Sequence, residues 1–465
     1  MLSLVGGQNR DCNGIHRRQF MQIGSLAGVS LPMLLAHQAQ ASEKNHLTGK
    51  SIVFLFLQGG PSHIEMFDPK MSAPVEFRSV TGEVKTKTAG LTLGGTFPNM
   101  AQQVDRFTLV RSFASRNSGH TYFSVSGANN PLKATMGAIY SRVAGTNNPL
   151  TGMPSNTIVV PEAIKPKLRF RTNFETNALP TLTTAGELGA SYASFNPSGG
   201  GQLKSNMQLK VSEDRLTDRR ALLQNLDKIK RQVDADGLLD GSDRFQQQAF
   251  DVITRGVADA FDLSKEDPRT VERYDTSKLF DMKKLNRFND MYRSSNLLGH
   301  QMLLARRLCE AGCGFVTVAD AGWDMHGNRN SLPRLTGMDP LGRQVDHAVS
   351  AFLDDVRQRG LSDKILLVVT GEMGRTPRIN KRGGRDHYGG LTSLILAGGG
   401  LDMGQVIGRS DKHATRPATT PYYPKHLFGT IMRTMFDVGE LRVTRGLPRD
   451  LLRVVEQSRP IPGLL

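Results

Sequence analysis

The segment Ser51-Ile-Val-Phe-Leu-Phe-Leu57 carries an unbroken apolar stretch from Ile52 to Leu57 and stops at Gln58-Gly59-Gly60. A strand with one wet face alternates polar and apolar residues, so an unbroken run calls for a strand covered on both faces. That is the situation in a mostly parallel sheet with helices on each side. Similar short runs occur at Phe107–Phe113, Thr157–Val160, Gly314–Ala319, Lys364–Thr370 and Thr392–Ala397. Between residues 200 and 312 the period changes to that of a helix: Leu216, Leu222, Leu223, Leu226, Ile229 and Val233 form one stripe, and Phe245, Ala249, Val252, Ile253, Ala260 and Phe261 a second. A third helix near Phe288–Ala311 stops at Gly312 and Gly314 and feeds straight into a strand. Asn196-Pro-Ser-Gly-Gly-Gly201 reads as the loop before this block. The expected fold is therefore a three-layer α/β domain over residues 42–465, its mostly parallel sheet flanked by helices, with a helical insertion at about 203–312.

The first 41 residues read as an export address. Arg17-Arg18 precede a polar residue, Phe20 and Met21; a weakly apolar run from Ile23 to Ala36 follows, and Ala39-Gln40-Ala41 supplies a small-residue cleavage signal. This order predicts a twin-arginine signal, the twin-arginine export machinery as a partner, and a periplasmic or secreted mature protein. The run is short for a bilayer and Pro32 interrupts it, and no later stretch reads as a membrane span. Of three cysteines, Cys12 falls in the leader, and Cys309 and Cys313 read as core thiols rather than a disulfide framework. The net charge of +16 favours anionic partners. Export, and the lack of zinc-finger spacing, a basic helix or interleaved aromatics, argue against nucleic acid.

In open α/β sheets, ligands gather beyond the carboxyl ends of the strands. Those positions carry Gln58, Ser62, His63, Glu65 and Asp68 after the first strand, and Ser115-Arg-Asn-Ser-Gly-His120 after the second. Gly322-Trp-Asp-Met-His326 and Gly371-Glu-Met-Gly-Arg375 follow two later strands, and Arg385-Asp-His387 precedes the last. In an extended segment Asp324 and His326 point the same way while Trp323 and Met325 face the core. With His387 they make an Asp-His-His set that suits zinc or a similar divalent ion with an open position. The same residues also suit a turn cap and a surface histidine. Arg375 can clamp an anion bidentately or sit in a structural ion pair.

The leader, FLQGGPSHIEMFDPK, the SGH segment, WDMHGN, VVTGEMGRTPRIN and GRDHYGG, in that order, resemble domain-of-unknown-function family 1501, a secreted bacterial branch related to the alkaline phosphatase and sulfatase superfamily. The resemblance spans essentially the whole mature chain. It implies an alkaline phosphatase-like fold and aligns Asp324, His326 and His387 with metal ligands. A helix carrying Asp346 and then ILLVVTGEMG are similar in layout to the helix and strand that precede an Asp-His metal pair. Here Glu372-Met373 stand in place of that pair and Gln58 in place of an aspartate, so a second metal is lost or held by His63, Glu65, Asp68 or Glu372. Ser118 resembles the serine of metal-dependent phosphoglycerate mutases, at the start of a helix, with Thr121 as the alternative; an ordinary N-cap serine fits the same pattern.

The function these readings predict is an exported metal-dependent hydrolase of phosphate or sulfate esters. Asp324, His326, His387, Glu372 and His63 are the metal candidates, and Ser118, His120 and Arg375 the catalytic ones. Zinc is the expected ion, manganese or calcium the substitutes, and the substrate an anionic small-molecule or polysaccharide ester. The rival is a non-catalytic envelope protein that binds an anionic polymer. Lys165, Lys167, Arg169 and Arg171 would share one face of an extended segment and meet such a polymer, or would guard a sheet edge.

Overall fold

The apolar run after Lys50 forms an interior strand of a seven-stranded sheet. The computed structural model describes residues 46–166, 168, 174–198, 257–285, 287–288 and 296–465. In chain order the strands are β1 (Ser51–Leu57), β2 (Glu83–Lys85), β3 (Thr92–Gly94), β4 (Thr108–Val110), β5 (Asn156–Val159), β6 (Phe315–Asp320), β7 (Ile365–Thr370), β8 (Gly374–Arg375), β9 (His387–Tyr388), β10 (Leu394–Gly398) and β11 (Val406–Ile407). The helices that frame the site are α1 (His63–Met66), α2 (Pro98–Ala101), α3 (Met136–Ala144), α4 (Leu298–Glu310), α5 (Met338–Gln358) and α6 (Pro424–Met435). The large sheet has the order β11-β4-β10-β7-β1-β6-β5. All its pairings are parallel except those of β10, which runs antiparallel to both β7 and β4.

Alternation along β1 divides the core into two. Val53, Leu55 and Leu57 join one buried cluster with Leu303 of α4 and Val345 of α5. Ile52, Phe54 and Phe56 join the other with Ile139 of α3 and Ile431 of α6. Both faces of the sheet are thus dry, as the unbroken apolar run requires, and each fully buried Val, Leu or Phe contributes about 1.5–3 kcal/mol. The three-layer, mostly parallel architecture is the expected one. All six strands expected from the sequence are present within a residue or a few of their expected limits; β11 is an addition to that sheet, and β2-β3 and β8-β9 form two small further ones.

The helical stripe at 216–233 lies outside the described residues, as do the leader and most of the second stripe, whose end is a 3-10 turn at Val257–Phe261. Helix α4 packs on β6 and α5, so the end of the segment read as an insertion belongs to a layer of the main domain. Of the segment expected to be extended at 165–171, only Lys165, Pro166 and Leu168 are described, and the Leu168 N–H donates to the Lys165 carbonyl at 2.9 Å. Lys167, Arg169 and Arg171 lie outside the described residues. Cys309 and Cys313 are buried free thiols. Among the described residues no helix is long and apolar enough to cross a membrane.

Candidate metal centre

The direction of β10 decides what meets at the edge of the sheet. Because it runs against its neighbours, its N-terminal end lies beside the carboxyl ends of β1, β4, β6 and β7. The segment carrying His387 therefore arrives at the same edge as the loops after those strands. Beyond β7 the chain doubles back: β8 pairs with β9, with Arg375 opposite His387. The loop after β6 is pinned by the Trp323 N–H on the Gln58 carbonyl at 3.1 Å and the Trp323 indole on Asp320 at 2.8 Å. Trp323 and Met325 are 0% and 2% exposed, which turns the Asp324 and His326 side chains away from the core.

Asp324 is the centre of the site. Its Oδ1 accepts from Arg375 at 2.7 Å and lies 3.1 Å from His387 Nε2. Its Oδ2 lies 3.0 Å from His326 Nε2 and 3.7 Å from His120 Nε2. One ligand atom each from His120, Asp324 and His387 lie within 4.8 Å of one another, the distance range of a shared cation. The His120 and His387 rings meet edge to face at 4.5 Å between centroids. Burial disfavours the Asp324 anion, but bonds to His120, His387 and Arg375 outweigh it and hold the carboxyl far below the usual carboxylate range.

A second carboxylate stands behind the first. Glu372 is fully buried; its Oε1 takes the His120 Nδ1 proton at 2.9 Å and the Gly59 N–H at 2.9 Å. This leaves His120 Nε2 facing the cluster, in the carboxylate–imidazole relay common behind metal-bound histidines. Gly59 makes the approach possible: its φ is +112°, and a Cβ there would lie 2.4 Å from the Asp324 backbone nitrogen.

Other candidates fall elsewhere. Arg375 is 1% exposed, and its guanidinium is spent on Asp324 and on the carbonyls of Gly59, Gly60, Trp323 and Arg385. Its bond to Asp324 holds that carboxylate in place. Ser118 lies in coil, with no helix starting at it; its exposed hydroxyl accepts the Gly389 N–H at 3.0 Å and ties the two loops together. Thr121 is likewise exposed and outside any helix. His63 is buried against the Ala414 carbonyl, to which its Nε2 donates at 3.1 Å, and burial keeps its pKa below the ordinary value. Glu65 is paired with Arg385 at 3.0 Å, and Asp68 with Lys70 at 3.1 Å and the Ser410 hydroxyl. None of these three joins the metal cluster. Asp346 caps α2, accepting from the Asn99 and Met100 N–H groups at 3.1 and 2.7 Å. Gln58 does not replace the missing aspartate: its side chain turns to the Tyr122 hydroxyl at 3.4 Å. The sequence singled out His120 as a catalytic candidate; its contacts with Asp324 and Glu372 bring it among the side chains that could hold a metal.

Residues 49–465 match the family described as "Protein of unknown function (DUF1501)". The chain belongs to the DUF1501 family. No curated protein matches this DUF1501 chain. Among solved structures it is similar to the PsFucS1 sulfatase from Pseudoalteromonas sp., at 10% identity and a TM-score of 0.35, over 86% of this chain and 69% of that one. It is also similar to the lipoteichoic acid synthase LtaP from Listeria monocytogenes, at 9% identity and a TM-score of 0.33, over 87% and 76% of the two chains. A third is the alkaline phosphatase from the Antarctic bacterium TAB5, at 11% identity and a TM-score of 0.32, over 83% and 97%.

Proposed function

We propose that this DUF1501 protein is a metal-dependent hydrolase of phosphate or sulfate esters, with His120, Asp324 and His387 holding one divalent ion. The observation that carries the reading is the convergence of three imidazole Nε2 atoms on the two oxygens of one buried carboxylate, at 3.0 to 3.7 Å. Two imidazoles and a carboxylate are a donor set for zinc or manganese more than for calcium, which prefers oxygen alone. The donors are already oriented: Glu372 fixes the His120 ring and Arg375 fixes Asp324. His326, with 34% of its side chain exposed at the rim, stands ready as a further ligand or as a proton donor to a leaving oxygen. A bound ion would polarise the ester oxygen and lower the pKa of an attacking water. Ser118 is engaged with Gly389 and contacts none of these side chains by hydrogen bond among the described residues, so the reading gives the attack to water.

Protein purified without chelator should contain about one equivalent of metal per chain, and Asp324→Ala far less; the same variant should melt lower, because it leaves the buried Arg375 guanidinium without its carboxylate. Wild-type protein that carries no metal and takes up neither zinc, manganese nor calcium would overturn the reading. Glu372-Met373, Gln58 turned to Tyr122 and the buried Arg375 favour a second reading, a metal-binding envelope protein without catalysis. Metal uptake with a panel of phosphate and sulfate esters left intact would establish that one instead.

A further inference from the structure

Two segments tied to one another form a rim of the metal cluster. In 376–387 the chain turns tightly at 380–384, where the Asn380 side-chain carbonyl accepts the N–H groups of Arg382 at 2.9 Å and Gly384 at 3.1 Å. That turn lies against residues 325–335. The Asn380 amide donates to the His326 carbonyl at 3.1 Å, the Arg385 N–H to the Met325 carbonyl at 3.0 Å and the Leu335 N–H to the Gly383 carbonyl at 3.2 Å. A Cβ on Gly327, whose φ is +118°, would lie 2.7 Å from the Arg382 Cβ. Arg382 therefore crosses the backbone beside His326, whose Nε2 is 3.0 Å from Asp324. His387, at the end of the second segment, belongs to the cluster itself.

These two segments concentrate positive charge. Arg329 and Arg334 come from the first, Arg378, Lys381 and Arg382 from the second, and all five are exposed. Asp386 is the one carboxylate in residues 326–336 and 376–387, and it lies 3.9 Å from Arg382. Arg385 is turned inward, to Glu65 at 3.0 Å, and adds nothing to the surface. An exposed cation attracts a single anion only weakly in water, so solvated cations spread along a rim do not hold one small ion. They add up against a ligand that carries many charges, and they draw it in from a distance. Neither segment contains Phe, Tyr or Trp, the side chains on which nucleic-acid bases stack. Charge without such platforms fits a sulfated or phosphorylated polysaccharide.

We propose that the surface formed by residues 326–336 and 376–387 binds an acidic polysaccharide and presents one of the sulfate or phosphate groups of that polymer to the metal cluster. Binding of the polymer stands on this surface alone; presentation for hydrolysis rests on the hydrolase reading.

The test uses the full chain and fluorescently labelled dextran sulfate, with binding read by anisotropy. Arg329→Gln, Arg334→Gln and Lys381→Gln together strip charge from the rim and leave Arg382, which packs on Gly327, in place. Arg445→Gln, Arg449→Gln and Arg453→Gln together strip the same charge from exposed positions elsewhere. The neighbouring Thr444 meets His46, ahead of β1, at the opposite edge of the sheet. Dextran sulfate should bind wild type and the second triple variant within about twofold of one another, and the rim variant at least about tenfold more weakly. Circular dichroism checks that both variants fold. Binding to wild type should also weaken at least about tenfold between about 0.05 M and about 0.5 M salt, a readout that needs no variant. Oligothymidylate at equal charge should displace the label at least about tenfold less well than unlabelled dextran sulfate. No binding to wild type, insensitivity to salt, equal loss in both triple variants, or oligothymidylate competing as well as dextran sulfate would each overturn the proposal. Metal content of the same samples separates the two readings. Dextran sulfate bound by a chain that takes up no metal would sink the hydrolase reading and leave the surface assigned; metal uptake without dextran sulfate binding would do the reverse.

Discussion

Glu372 acts through His120. Burial alone would lower the His120 pKa, but its bonds to Asp324 and Glu372, and their charges, outweigh that and push it up to about 9. At neutral pH the metal-free site therefore holds an imidazolium between two carboxylates, and an ion entering it must displace a proton. Glu372→Gln weakens the grip on Nδ1 and should cost about 10- to 100-fold in metal affinity without abolishing binding. Competition with a chromophoric chelator measures this, and an unchanged affinity would show that Glu372 merely fills space behind the ring. The sequence singled out Asp324, His326 and His387 as the metal set, and the structure groups Asp324 and His387 with His120 instead. His120 was not legible as a metal candidate, because Ser118, His120 and Thr121 sit together in one short segment and nothing in their spacing says which one turns inward. Arg375 was open to two readings for a related reason: a guanidinium serves an anionic substrate and a buried carboxylate equally well, and the structure pairs it with Asp324 at 1% exposure.

Between elements, the main polar tie is a charged knot under α4 and α5. Arg306 of α4 reaches Asp355 of α5 at 2.8 Å and Glu266 at 2.7 Å, and Glu266 also meets Arg307 at 2.9 Å and Arg359 at 3.0 Å. Burial raises the Glu266 pKa, but hydrogen bonds from Arg307 and Arg306 outweigh it and bring the carboxyl down to about 2. A carboxylate whose pKa is lower folded than unfolded contributes stability that is complete above the unfolded value and lost as pH falls through the folded one. Glu266→Gln should therefore lower the urea midpoint at pH 7, and the gap to wild type should close between about pH 4.5 and pH 2. A gap that persists at pH 2 would assign the loss to packing instead of charge. The knot was invisible in the sequence, since Glu266, Arg306, Asp355 and Arg359 come from three segments with no shared motif. The reversal of β10 was equally hidden: its composition suits either direction, and direction sets whether His387 reaches Asp324.

Over the whole molecule, the two dry faces of the sheet bury a core large enough to stand without a metal clip, so loss of the ion should leave the fold intact. We propose from Arg17-Arg18 that the chain takes the twin-arginine route, which accepts folded cargo and would let the ion be inserted first. Replacing both Arg17 and Arg18 with Lys should hold the precursor in the cytoplasm, as fractionation and blotting would show. Unchanged export of that double variant would rule the route out.

The sequence by itself determined the layers. Unbroken apolar runs such as Ile52–Leu57 call for cover on both faces, and their alternation with helical stripes points to a sheet between two layers of helices. It also determined which loops carry chemistry, because carboxyl ends of strands in such a sheet share an edge. What the tertiary structure alone decided is which of those side chains touch. Asp324, His120, His387 and Glu372 come from four separate segments, those after β4, β6 and β7 and the strand β9, and their meeting depends on the reversal of β10, the β8–β9 ribbon and the close passage of Gly59 beside Asp324. Periodicity reports how a segment is covered, not what it faces across a loop, and contact at 3 Å is set by packing that no local pattern encodes.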